Sequence, residues 1–93
     1  LTSEEPYELV VTPPAARAIQ GGLPEAVAAA VIEFLTRALI SDPRRVGKAL
    51  RGDLAGVHAA RRGTYRVLYR INDTDRAVIV LRIDHRRDAY RHR

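Results

Sequence analysis

Two alternating stretches in the last third of the chain restrict the fold most. Residues 64–71 (TYRVLYRI) put Tyr65, Val67, Tyr69 and Ile71 on one side and Arg66, Leu68 and Arg70 on the other, the two-residue period of a half-buried strand. Asn72-Asp73-Thr74-Asp75 is a run of turn formers. Residues 76–84 then return, with Ile79, Leu81 and Ile83 on one side and Val78, Val80 and Arg82 on the other. A strand over about residues 57–62, ahead of Gly63, completes an antiparallel meander. Such a sheet has an apolar face that must be covered.

The cover lies upstream. Residues 7–12 (YELVVT) read as a first strand, ended by Pro13 and Pro14. Thr12 is expected to cap a short helix that has proline at its first position and stops at Gly21-Gly22. Pro24 opens a longer helix. Its Val27, Ala30, Val31, Phe34, Leu35, Ala38 and Leu39 recur at three- and four-residue spacing, and Asp42-Pro43 ends it. The predicted fold is α+β, in the order β-α-α-β-β-β. After the first strand, two helices pack on one face of a small antiparallel sheet. Residues 43–56 read as an irregular connection with a basic edge at Arg44, Arg45, Lys48 and Arg51. At 93 residues the chain makes one domain over 1–93, with 1–6 a loose leader and 85–93 a basic tail.

If Val67, Tyr69 and Ile71 meet the helices, Arg66 and Arg70 face away, and Arg82 on the next strand joins them. Charge supports a special role for this face. Residues 1–56 hold six Lys/Arg against seven Asp/Glu, whereas residues 57–93 hold ten Arg against four Asp. The whole positive excess is therefore arginine in the last third, and the planar guanidinium fork suits phosphate. A polyanion partner, nucleic acid or an acidic protein, is one reading; a solvated basic surface is the other. The chain has no cysteine, which excludes disulfides, thiolate metal sites and thiol nucleophiles. No stretch reaches transmembrane length, and Glu4 and Glu5 do not fit a signal peptide. A cytoplasmic protein without membrane contact is expected.

Three pieces carry a family resemblance: Arg61-Arg62-Gly63-Thr64-Tyr65-Arg66 at the hairpin, Arg66-Val67-Leu68-Tyr69 in the strand that follows, and His85-Arg86-Arg87-Asp88-Ala89-Tyr90-Arg91 after the last strand. With Gly47-Lys48-Ala49-Leu50-Arg51 ahead of Leu54-Ala55-Gly56, these resemble the RelE family of toxins from bacterial toxin–antitoxin pairs, within the RelE/ParE superfamily. The resemblance covers about Tyr7 to Arg91. It implies a ribosome-dependent, metal-independent endoribonuclease, an mRNA interferase that cuts messenger RNA in the A site by attack of a 2′-hydroxyl on the adjacent phosphate. No cofactor and no metal are implied. Arg66 and Arg86 would hold the scissile phosphate, Tyr90 would transfer a proton or stack on a base, and Arg61 matches a basic position at the end of the second sheet strand. His85 is the better placed of the histidines for proton shuttling. Lys48, Arg51, Arg62, Arg70 and Arg82 are the candidate RNA- and ribosome-binding residues.

One departure stands out. The family places Lys or Arg two residues before the position of Arg61, and this chain has Ala59 there. Either Arg62, Lys48 or Arg51 stands in, or the enzyme is slow, or catalysis is lost. The competing functions are a ParE-like inhibitor of DNA gyrase that cuts no RNA, and a degenerate toxin that only binds its antitoxin. All three imply a cognate antitoxin, acidic and partly disordered, that wraps the toxin, with DNA bound only through that complex.

Overall fold

The computed structural model describes residues 5–86. Tyr90 and most of the basic tail lie outside the described residues, as does most of the leader. Strand β1 (Glu8–Val11) leads into helix α1 (Pro13–Arg17), which runs on through a wider turn at Ala18–Gly22. Helix α2 (Glu25–Phe34) continues through Leu35–Leu39. Then come a two-residue strand β2 (Lys48–Ala49), a 3-10 turn (Gly52–Leu54), and strands β3 (His58–Arg62), β4 (Tyr65–Asn72) and β5 (Ala77–His85). No helix among the described residues is long and apolar enough to cross a membrane.

The five strands form one sheet in the order β1-β5-β4-β3-β2. The meander is antiparallel as expected, but β1 pairs parallel with β5, so the sheet is mixed. The apolar pattern of a four-residue strand sets its face and not the direction of its neighbour. The helix pair sets that direction by returning the chain to the end where β1 began: the Tyr7 amide donates to the Ile40 carbonyl at 2.8 Å. The connection read as irregular also holds β2, which pairs with the start of β3.

Residues Val31, Phe34, Leu35 and Leu39 of the second helix close on Val67, Tyr69, Val78, Val80 and Ile83 of the sheet, all buried. Each aliphatic side chain buried this way contributes about 1.5–3 kcal/mol. Ala30, expected on the same helix face, is exposed. Proline occupies the start of α1, where its missing N–H costs nothing. Thr12 does not cap that helix. Its hydroxyl donates to the carbonyls of Val80 (2.7 Å) and Leu81 (3.1 Å) on β5.

Those carbonyls belong to a β-bulge. Leu68 pairs with Arg82, but Tyr69 pairs with Val80, which leaves Leu81 as an extra residue. The simple alternation expected on this strand therefore fails at its middle. Val78 and Val80 point into the core before the bulge, and Ile83 after it, while Ile79 and Leu81 are half-buried. The extra residue keeps Arg82 off the helix side. At the other end of β4, Gly63 and Thr64 make a two-residue turn, and Gly63 adopts φ +53, the left-handed conformation such turns require.

Candidate functional site

The sheet face away from the helices carries two cross-strand rows. One runs Arg61, Arg66, Asp84; the other runs Lys48, Ala59, Leu68, Arg82. Arg61 lies directly opposite Arg66, and like charges in that position oppose folding. On its other side Arg66 is met by an acid, Asp84 on β5.

Asp84 is the one acid in either row. Its Oδ2 accepts from Arg66 Nη2 at 3.0 Å, and its Oδ1 accepts from Arg82 Nε at 2.7 Å. The two arginine side chains are 44% and 59% exposed and Asp84 is 20% exposed, so the carboxylate lies closer to the sheet than the cations. Ala59 and Leu68 form a half-buried apolar strip between Lys48 and Arg82. Arg70 lies further along the same face. Its Nη1 sits so close over Gly56 that a Cβ there would approach it to 2.8 Å. Arg86 is exposed one residue beyond β5, and its amide donates to the Thr64 carbonyl at 2.6 Å, which ties the start of the tail to the β3–β4 turn.

The register thus gathers Lys48, Arg61, Arg66, Arg70 and Arg82 on one face. Arg62 goes to the other side, because it alternates with Arg61, and its guanidinium stacks 4.8 Å over the Phe34 ring. His85 pairs across the strands with Tyr65 and so shares the helix side, where Tyr65 meets Phe34 edge-on at 6.5 Å. Arg51 is an exposed residue between β2 and the 3-10 turn and belongs to neither row. Arg44, on the basic edge of the connection, forms a two-pronged contact with Asp73 at 2.7 and 3.0 Å, and the Tyr7 hydroxyl also donates to Asp73. The Arg44 hydrogen bond holds the Asp73 carboxyl below its usual range. This cluster ties the connection to the β4–β5 turn, away from the two rows.

The sequence reading did not single out Asp84. An acid within an alternation that otherwise puts arginines on that face was the available signal, but the bulge hides the parity that makes it visible.

His58 stacks on Tyr69 on the helix side, with ring centroids 5.5 Å apart, and its buried Nδ1 finds no hydrogen-bond partner among the described residues. Burial pushes its pKa below the usual value, and the Arg44 charge adds to this. The folded state therefore takes up the proton less readily than the unfolded chain. Stability is full above the unfolded value of about 6.5 and falls as pH drops below it. Denaturant titrations from pH 7.5 to 5 should show this loss, and His58→Phe should flatten it; equal slopes in both proteins would refute the assignment to His58.

The described residues thus place a guanidinium-rich sheet face on the side opposite two helices. A family profile described as "ParE toxin of type II toxin-antitoxin system, parDE" matches residues 11–90. The chain is similar to toxin RelG of Mycobacterium tuberculosis, 51% identical over 86 residues, covering 92% of this chain and 98% of that one. It is also similar to toxin RelE of the same organism, 45% identical over 91 residues, covering 98% and 93%. Among solved structures it is similar to a chain of the toxin–antitoxin complex RelBE2 from M. tuberculosis, with a TM-score of 0.85 and 50% identity, covering 88% of this chain and 100% of that one. The chain belongs to the ParE toxin family of type II toxin–antitoxin systems and, with relatives named RelE and RelG, is a RelBE-type toxin.

Proposed function

We propose that this toxin is a ribosome-dependent endoribonuclease that cleaves mRNA in the A site without a metal. The observation that carries the reading is the convergence of Arg61, Arg66, Arg82 and Lys48 on one exposed sheet face. In the reaction the 2′-oxygen bonds to phosphorus and the bond to the 5′-oxygen breaks, leaving a 2′,3′-cyclic phosphate and a 5′-hydroxyl. The phosphorane between gains negative charge. Arg66 and Arg86 hold it, with Arg61 beside them, because fixed guanidinium groups stabilise such charge without giving up a proton. Tyr90 is assigned to proton transfer. Lys48 lies directly across from Ala59, so it is better placed than Arg62 or Arg51 to replace the basic group that Ala59 lacks. Arg70 and Arg82 extend the phosphate-binding surface. His85, on the helix side, would have to act from the edge of the site.

In the cytoplasm the toxin would be held by an acidic, partly disordered antitoxin that wraps it, a reading supported by the related toxin solved as a RelBE2 toxin–antitoxin complex.

The ParE name of the family profile favours a second reading, inhibition of DNA gyrase. Induced expression followed by mRNA 5′-end mapping and a supercoiling assay separates the two. Discrete cuts within translated codons are expected. Growth arrest with intact transcripts and lost supercoiling would transfer the chain to the gyrase reading.

A further inference from the structure

We infer that Asp84 is a positioning residue: its carboxylate clamps the guanidinium groups of Arg66 and Arg82 in a fixed mutual arrangement and leaves their remaining donors to grip one RNA phosphate. The inference rests on the nuclease reading and adds to it a residue that never touches the RNA.

The geometry divides the carboxylate between the two arginines. Oδ2 takes one N–H from Arg66 at 3.0 Å and Oδ1 takes one from Arg82 at 2.7 Å. Each guanidinium has five N–H donors in a rigid fork, so a single contact orients the group without consuming it. The acid is also the least exposed of the three, which leaves the outer donors of both cations turned to solvent. Without it, Arg66 would face Arg61 directly and Arg82 diagonally with nothing to draw the cations together. Asp84 and Arg82 are two residues apart on β5 and so share a face, and they reach this face because the bulge at Leu81 shifts the alternation. Thr12 holds the bulge through the Val80 and Leu81 carbonyls. The clamp is therefore part of the sheet's construction. An exposed acid paired by chance would need neither the bulge nor the division between two arginines.

Asp84→Asn keeps the shape and removes the charge. Two quantities should then separate. Affinity for ribosomes carrying an mRNA with a 2′-deoxy nucleotide at the cut position should hold or tighten, with a steeper salt dependence, since a negative charge has been removed beside the phosphate. The single-turnover cleavage rate on the corresponding 2′-hydroxyl mRNA should fall about tenfold or more, because the donors no longer hold their relative positions. Asp84→Glu should recover part of the rate. An unchanged or raised rate, or rate and affinity falling together, overturns the proposal. A measurement on the wild type alone guards against a variant that does not fold. Nitrogen–proton spectra of the arginine side chains should show restrained Arg66 and Arg82 guanidinium groups, and free rotation of both overturns the clamp. A wild type that cuts no mRNA defeats the nuclease reading instead, while the spectra still decide the clamp.

Discussion

Replacing Arg66 with alanine is expected to lower mRNA cleavage on the ribosome about 10²- to 10³-fold and to abolish growth arrest, with the fold intact. Arg66 stands at the centre of its row, with Arg61 opposite on β3 and Asp84 opposite on β5. Removing one preorganised donor from a developing oxyanion costs this much because bulk water cannot take its place at no reorganisation cost. The structural cost is small by comparison. The Arg66 side chain is 44% exposed, and an ion pair at such a site contributes about 0–1 kcal/mol to stability. The variant should therefore melt within a few degrees of the wild type and still bind antitoxin. Arg66→Lys should recover little activity, since an ammonium has the charge but not the fork. The check is growth after induction with mRNA 5′-ends mapped alongside, for wild type, Arg66→Ala and Arg66→Lys. Transcripts cut by the alanine variant at the wild-type rate would remove Arg66 from the site.

Where local periodicity met no interruption, the sequence was a sound guide. On β4 the predicted alternation is the observed one: Tyr65, Val67 and Tyr69 are buried while Arg66 and Arg70 are exposed. On β5 the same reasoning broke at Leu81, because a bulge adds one residue and reverses the parity after it. That reversal is why Arg82 was assigned to the correct face on a wrong premise, since strict alternation grouped it with Val78 and Val80, which lie in the core. The parallel pairing of β1 could not be read because it depends on a partner nearly 70 residues away in the chain.

The site shows the same division. Arg61 and Arg66 could be found from spacing and resemblance, being neighbours across a two-residue turn. Arg62 was grouped with the RNA-binding residues on charge, yet it is one residue from Arg61 in a strand and so had to face the helices, where Phe34 offers its ring. The position of Lys48 across from Ala59 depends on β2, whose two residues are too few to leave a pattern. Net charge marks a region as basic; register decides which of its cations share one face.

The largest effect on stability is expected at Gly47. A Cβ there would collide with the Tyr69 hydroxyl, and would lie 2.9 Å from the Ala59 carbonyl oxygen and 3.1 Å from Tyr69 Cζ. Neither neighbour can give way. Tyr69 is fully buried, with its hydroxyl donating to the Pro43 carbonyl at 2.5 Å, and the Ala59 carbonyl belongs to the sheet backbone. The same burial pushes the phenol up to about 12, so it stays a neutral donor throughout the working range of pH. Gly47→Ala should cost about 2–3 kcal/mol through overpacking, against a gain of at most about 1 kcal/mol from a stiffer unfolded chain. For a domain of this size each net kcal/mol lowers Tm by about 4–8 °C, so a drop of about 10 °C is expected. Tyr69→Phe removes the hydroxyl that is struck, at a cost of about 1–3 kcal/mol for the stranded Pro43 carbonyl. Introduced into that background, Gly47→Ala should cost less than in the wild type, a coupling that a double-mutant cycle by denaturant titration measures directly. Additive losses would show that the phenol is not what Gly47 must avoid. The consequence extends to the site, because Gly47 immediately precedes Lys48: the close approach that only glycine permits is what lets β2 lie against β3 and bring Lys48 across from Ala59.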